Sequence, residues 1–369
     1  MLEINKIYNE DCLSTLKKID NNSIDCVVTS PPYYNLRAYT DDEKEIGREM
    51  TPNLYIDNLV EVFSEIYRVL KPNGTVWVNI GDSYAHSNPN NRNFLNNGGR
   101  ISNNDNISKS NPICNGIKEK DLIGIPWMLA FALRDRCGFY LRQDIIWAKG
   151  NPLPEPVKDR CVKSHEYIFL FSKSKDYYFD YEAIQEPSVT FENRPFGIER
   201  QRAFGYDTKQ SRNPENYQIT TGIRFGGSKY EDSDDPHYAT KSGKEWNPKM
   251  KNLNRDGQNP NSIHINRAEG GLDTMYVVRN KRDVWNVNTQ PSSIEHCAMY
   301  PEKLIMPCIL AGCPECGIVY DPFIGSGTTA LATIHALGNR KFIGSELSPK
   351  YYKIATKRVN EEMSQLKLF

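Results

Sequence analysis

The sequence predicts an α/β fold: a doubly wound, mostly parallel sheet carrying a polar, loop-rich insertion. Three observations point there. Short apolar runs that end in Pro or Gly breakers alternate with stretches of helical spacing. Two of those runs open directly into unusual turns, one rich in proline and one in glycine. A block at 191–285, poor in apolar residues and rich in Asn, Gly, Arg and Tyr, interrupts the alternation.

Taken in order, Ser23-Ile24-Asp25-Cys26-Val27-Val28-Thr29 reads as a buried strand stopped by Pro31-Pro32. Leu54, Leu59, Val62, Phe63, Ile66, Val69 and Leu70 fall at helical spacing over 52–70, and Lys71-Pro72-Asn73-Gly74 marks the stop. A strand at 75–80, a helix at 122–137 and strands at 143–147 and 167–171 follow. Beyond the insertion come a strand at 317–321, a helix at 328–337, a strand at 341–346 and a final helix at 349–362. The expected organisation is a main domain from 1–190 and 286–369, an insertion at 191–285, and a long mobile surface loop at 86–120, where eleven Asn crowd together.

Composition narrows the function classes. The 369 residues suffice for one large domain with an insertion, or two domains. No run approaches the roughly 18 apolar residues of a membrane span, and Met1-Leu2-Glu3-Ile4-Asn5 does not open like a secretory leader. Nine cysteines scattered through a long chain point to a reducing cytoplasm rather than to a disulfide framework. The 46 basic and 46 acidic residues cancel, which argues against nucleic-acid binding by bulk charge. The cancellation is between unlike parts. Residues 1–190 carry 22 basic and 26 acidic residues, 191–285 carry 16 and 13, and 286–369 carry 8 and 7. The insertion's excess is masked by one acidic cluster, Glu231-Asp232-Ser233-Asp234-Asp235, so a local basic surface remains open.

Two turns carry the chemistry. Asp321-Pro322-Phe323-Ile324-Gly325-Ser326-Gly327-Thr328-Thr329 joins a strand to a helix, at the sheet edge where open α/β folds bind ligands. Its glycines let backbone approach a ligand closely, and it lacks the Gly-Lys-Ser/Thr ending of a phosphate loop. The next strand ends in Glu346, where an acid holds ribose hydroxyls in nucleoside-binding versions of this fold. Thr29-Ser30-Pro31-Pro32-Tyr33-Tyr34 follows another buried strand. Its prolines stiffen the turn. The Ser30 hydroxyl and Pro31 carbonyl can accept hydrogen bonds from an exocyclic amine, and Tyr33 offers a face for a planar base. Cys313-Pro314-Glu315-Cys316 is at most half of a zinc site, and the six histidines form no H-E-x-x-H pattern, so no metal is expected.

Thr-Ser-Pro-Pro-Tyr together with Asp-Pro-Phe-x-Gly-Ser-Gly-Thr-Thr resembles the amino-methylating DNA methyltransferases that use S-adenosylmethionine. The target motif precedes the cofactor motif, which resembles the beta class, a circularly permuted Rossmann-like methyltransferase with its target-recognition region between the two. The resemblance covers about 5–85, 121–185 and 286–362. It implies a catalytic domain in 1–190 and 286–369 and a target-recognition insertion in 191–285. Asp321, Pro322, Phe323, Gly325, Ser326, Gly327, Thr328 and Thr329 would line the cofactor, joined by Thr29, with Glu346 on the ribose and Asp11 near the adenine. Tyr300 and Pro301 lie in a segment that packs on the methionine. Ser30, Pro31, Pro32 and Tyr33 would form the target-base site, and Trp147 to Pro152 resembles a segment near the flipped base. Ser at the first position is usual for cytosine-N4 enzymes; Asp or Asn is commoner for adenine-N6 enzymes, which leaves adenine as the alternative. The resemblance further implies duplex DNA as partner, often a cognate restriction endonuclease, and a cytoplasmic setting. A DNA-binding protein that has lost catalysis, or a methyltransferase for RNA or small molecules, stands as a rival; the intact motifs and the insertion's interleaved Arg and Tyr speak against these.

Overall fold

The computed structural model describes residues 2–36, 40, 42–85, 116–152, 154–187, 262–266, 272–276, 278–289 and 299–366. Residues 86–115 of the expected Asn-rich loop and most of the expected insertion lie outside the described residues. The strands are β1 (Lys6–Tyr8), β2 (Ile24–Thr29), β3 (Leu70–Ile80), β4 (Tyr140–Ala148), β5 (His165–Ser172), β6 (Glu186–Pro187), β7 (Ser262–Asn266), β8 (Leu272–Tyr276), β9 (Val278–Arg279), β10 (Val284–Asn286), β11 (Ile318–Asp321) and β12 (Lys341–Ser345). The helices are α1 (Cys12–Leu16), α2 (Pro52–Val69), α3 (Ile125–Cys137), α4 (Glu302–Gly312), α5 (Thr328–His335) and α6 (Pro349–Leu366).

The chain divides into two compact units, Met1–Ile184 with Lys281–Phe369, and Gln185–Asn280. The first holds one sheet of eight strands in the order β1-β12-β11-β2-β3-β5-β4-β10. Every neighbouring pair is parallel except those made by β5, which runs antiparallel to β3 and β4. In the second unit β6 pairs antiparallel with β9, and β7 with β8. Among the described residues no helix is long and apolar enough to cross a membrane.

Alternation along the strands builds a core on each face of the sheet. Val27, Val76, Val78, Phe169 and Phe171 pack with α2 and α3, whereas Cys26, Val28, Trp77, Ile168 and Leu170 pack with α4. The α2 stripe is Tyr55, Leu59, Val62, Ile66 and Val69, and Thr51 caps its start by accepting from the Leu54 amide at 3.2 Å. Leu54, expected in that stripe, is 49% exposed, because it lies off the buried face that runs through Pro52, Tyr55 and Leu59. Lys71 to Gly74 do not separate helix from strand as expected. Leu70 already pairs with Ile24, the register shifts, and Thr75 then pairs with Cys26. Gly74 fills this bulge because a Cβ there would stand 2.9 Å from the Asp25 carbonyl oxygen and closer still to Leu70.

Two short strands had no legible pattern. β1 is three residues long and pairs with β12. β10 crosses the expected boundary at 285/286, yet Trp285 is buried and pairs in register with Trp147 of β4. Helix α4 was not anticipated either, because Pro307 lies inside it.

Candidate functional site

β2 and β11 are adjacent and parallel, but the chain leaves β2 for β3 on one side and β11 for β12 on the other. This is a topological switch point, where the turns after the two strands part and leave a crevice. The proline-rich and glycine-rich turns both start there. Their roots are bonded directly: the Thr29 hydroxyl donates to Asp321 Oδ1 at 2.6 Å across 292 residues of sequence.

Asp321 is buried and collects four donors. Besides Thr29, the Thr329 hydroxyl reaches Oδ2 at 2.5 Å, the Tyr300 hydroxyl reaches the same oxygen at 3.2 Å, and the Phe323 amide reaches Oδ1 at 3.0 Å. Burial pushes its carboxyl above the usual range, and these hydrogen bonds pull the other way. All four donors are neutral, and no Lys or Arg among the described residues pairs with Asp321. Burial likewise holds the Tyr300 hydroxyl well above its ordinary value.

The glycine turn follows. Gly325 and Gly327 adopt φ of 55° and 89°, left-handed conformations that favour glycine. Gly327 also passes close to α6, where a Cβ would stand 3.2 Å from that of Ala355. Ser326 is buried, and its carbonyl accepts from Arg358 at 2.6 Å. Thr328 and Thr329 open α5 and are buried. Pro322 is buried and Phe323 half-buried. Pro301 occupies the N-cap position of α4, where its carbonyl accepts from the Leu304 amide at 2.9 Å.

Glu346 follows β12. Its Oε2 accepts from the Gly325 amide at 2.9 Å and its Oε1 from the Ser348 amide at 2.8 Å. Burial, with Asp321 and Glu45 adding repulsion, raises its carboxyl to about 7 against two lowering backbone bonds. Asn9 donates to the Glu346 carbonyl at 2.9 Å, which brings the loop before α1 alongside. Asp11, in that loop, is the N-cap of α1 and accepts from the Ser14 amide at 3.0 Å, with Lys44 3.3 Å away. Burial opposes its charge, but the Ser14 bonds and Lys44 outweigh this and lower the carboxyl.

On the other side of the switch point, the Pro32 carbonyl accepts from the buried Tyr55 hydroxyl at 2.8 Å, anchoring the proline turn to α2. Ser30 is half-buried, and its hydroxyl makes no hydrogen bond to another described residue. The Tyr33 ring lies against Gly81, where a Cβ would stand 2.9 Å from its Cε2.

Sequence reasoning missed part of this edge. Because β5 is antiparallel, its first residues meet the carboxyl ends of β3 and β4. Glu166 there accepts from the Tyr33 hydroxyl and pairs with Lys149. Asn79 Nδ2 stands 3.3 Å from the same carboxylate. Asp82 accepts from the Gly124 and Ile125 amides at 3.0 and 3.1 Å and so caps α3, and Lys163 donates to the Asp82 carbonyl. The only signal for Glu166 was its place just before an apolar run; that run's antiparallel direction is not written locally. Trp147, expected near the target base, is a core residue whose Nε1 donates to the Val287 carbonyl at 2.7 Å. Of the C-x-x-C pair, Cys313 is buried, its thiol pushed up to about 12 by burial, while Cys316 is exposed.

The DNA methylase family model for N6 and N4 enzymes matches residues 24–357. The chain is 34% identical to the type II methyltransferase M.Cfr9I of Citrobacter freundii, over 98% of this chain and 90% of that protein. It is 36% identical to the type II methyltransferase M.SmaI of Serratia marcescens, over 96% of this chain and 90% of that one. Among solved structures, the PvuII cytosine-N4-specific DNA methyltransferase has a similar fold, with a TM-score of 0.54 at 17% identity over 96% of this chain and 85% of its own.

Proposed function

The chain belongs to the DNA methylase family of N6 and N4 amino-methyltransferases, and on that premise we propose that it methylates the N4 amino group of a cytosine turned out of duplex DNA. Type II restriction–modification methyltransferases are its relatives, and the cofactor is S-adenosylmethionine, which when bound supplies a methyl group already activated on a sulfonium.

The residues fit that cofactor. It is a cation with a ribose, and the glycine turn stands between two buried carboxylates, Asp321 and Glu346, with no ammonium or guanidinium paired to either among the described residues. Each Glu346 oxygen accepts one backbone amide, so each keeps acceptor capacity for one of two adjacent hydroxyls. Gly325 and Gly327 supply the left-handed backbone that the turn needs.

The observation that carries the cytosine reading is Ser30. Its hydroxyl is uncommitted among the described residues, at the carboxyl end of β2, one residue beyond the Thr29–Asp321 bond. An exocyclic amine is a poor nucleophile because its lone pair is delocalised into the ring. Acceptors on its hydrogens draw it towards a tetrahedral geometry and localise that pair. Ser30 and the Pro31 carbonyl take this role, and the Tyr33 face stacks on the base. Unstacking costs about a few kcal/mol, which these contacts offset. Orientation and fixed hydrogen-bonding groups then supply most of the rate. The basic residues of 191–285 are assigned to phosphate contact, so affinity for duplex DNA should fall as salt rises; a cognate endonuclease and a cytoplasmic setting complete the reading.

Nucleoside mass spectrometry of duplex DNA treated with the protein and S-adenosylmethionine tests it. N4-methylcytosine is expected. N6-methyladenine alone would replace cytosine by adenine, and cofactor binding without any transfer would favour the inactive DNA-binding rival.

A further inference from the structure

Glu166 is the second residue of β5, at the sheet edge that carries Ser30, and the chemistry outlined above gives it no task. Its carboxylate is nevertheless a junction. The Tyr33 hydroxyl donates to Oε2, Asn79 Nδ2 lies 3.3 Å from that oxygen, and the Lys149 ammonium holds Oε1. Lys149 is itself braced over the Trp147 ring, 4.4 Å from its centroid, and Trp147 is fixed in the core by its bond to the Val287 carbonyl. Beside the hydroxyl, at Cε2, the Gly81 backbone leaves no room for even a Cβ along that edge of the ring. Tyr33 is therefore held at its hydroxyl and along one edge before any base arrives.

From this geometry we propose that Glu166, braced by Lys149, is a positioning residue that presets the Tyr33 ring as the stacking platform for the displaced target base. A tyrosine side chain free to rotate would have to be ordered when the base enters, and that entropy would be lost from binding. A ring ordered in the free protein avoids the loss. The carboxylate is suited to the task because it serves two partners on two oxygens. An amide in its place has a single acceptor oxygen and cannot hold the Lys149 ammonium and the Tyr33 hydroxyl in the same arrangement. This inference rests on the base-capture reading of the Ser-Pro-Pro-Tyr turn.

The test is a double-mutant cycle in the full-length protein with Tyr33→Phe, which deletes only the hydroxyl, Glu166→Gln, and both together. Each single variant should lower kcat/KM for a fully paired duplex by about tenfold, and the pair should be no more than about threefold worse than either alone, as for residues acting through one contact. Cofactor affinity should stay within about twofold of wild type, as expected for sites with no shared partner. Two readouts separate positioning from mere fold support. The fluorescence of pyrrolocytosine, a cytosine analogue that still pairs with guanine and brightens when unstacked, should rise less on binding at the target position in the variants than in wild type. A duplex whose target base is mismatched, and so already weakly stacked, should restore them to within about threefold of wild type. Wild-type activity in Tyr33→Phe and Glu166→Gln, or a defect as large on the mismatched duplex as on the paired one, would overturn the proposal. A wild-type protein that methylates no duplex would instead remove the base-capture reading, and this inference with it.

Discussion

Asp321 and Glu166 are two carboxylates on one sheet edge, and they are satisfied in opposite ways. Asp321 is satisfied by three hydroxyls and one amide, with no cation paired to it among the described residues. Glu166 is clamped by Lys149 and binds a tyrosine. Hydrogen bonds from neutral groups stabilise a carboxylate without cancelling its charge, so the glycine-turn side keeps the Asp321 charge unpaired and gains that of Glu346 once that carboxyl, raised to about 7, ionises. An ion pair cancels charge to first order, so the proline-turn side is close to neutral while remaining polar. The contrast matches the two ligands, a sulfonium cofactor and an uncharged base. One fold edge thus keeps two chemistries apart with the same side-chain group.

Breaking each side should give separate phenotypes. The largest effect is expected from Ser30→Ala, which removes a preset acceptor on the neutral side. Turnover should fall by about 10²–10³-fold, the scale for one lost group of this kind, while the dissociation constant for S-adenosylmethionine, measured by calorimetry, hardly moves. Next comes Asp321→Asn, which removes the uncompensated charge and turns an NH₂ towards groups that donate. Cofactor affinity should weaken by about 100-fold, consistent with roughly 1.5–3 kcal/mol for a hydrogen bond to a charged group. Equal cofactor loss in both variants would dissolve the distinction between the sides.

A smaller effect separates the sides by pH. Burial raises the Glu346 carboxyl to about 7, so the free protein holds a proton there over a range in which the unfolded chain has lost it. The group's contribution to stability is therefore largest at low pH and declines as pH rises from the ordinary carboxylate range to about 7. Hydroxyl donors favour the charged form, so cofactor binding draws that proton off. Affinity should rise by about tenfold between pH 6 and 8 and then level, and binding near neutrality should release protons, detectable by calorimetry in buffers of different ionisation enthalpy. A flat affinity profile would place the ribose away from Glu346.

The Asp321 side was legible in the sequence and much of the Glu166 side was not. Thr29, Asp321 and Glu346 each end a strand or follow one directly, so a strand–turn pattern read along the chain places them on one edge if the sheet is parallel. Two other residues expected at the cofactor have structural tasks that type and spacing did not show: Thr329 turns inward to Asp321, and Asp11 caps α1. Glu166 depends on β5 running against its neighbours, and its partners Lys149, Asn79 and Tyr33 come from three other segments. Such a junction is fixed by strand order and direction, which the alternation of apolar residues does not encode. β10 was missed for a related reason: a three-residue edge strand is too short to show a period, and only the burial of Trp285 against β4 gives it away.

The smallest predicted effect probes that hidden side by packing alone. Gly81 lies just beyond β3, and its φ is not in the left-handed region, so alanine is acceptable to the backbone. The obstacle is the neighbour: the new methyl would stand 2.9 Å from Tyr33 Cε2 and 3.3 Å from the Glu166 Cγ. Either the ring or the carboxylate must yield by a few tenths of an ångström, without loss of any polar group. Gly81→Ala should therefore lower kcat/KM for a paired duplex by about three- to fivefold, near 1 kcal/mol, the low end for overpacking. Cofactor affinity should be unaltered, because the methyl touches nothing on the Asp321 side. In a Tyr33→Ala background the same substitution should cost nothing further in turnover, since the ring it displaces is absent. A full penalty in that background would mean that Gly81 serves the Asp82 cap of α3 rather than the tyrosine platform.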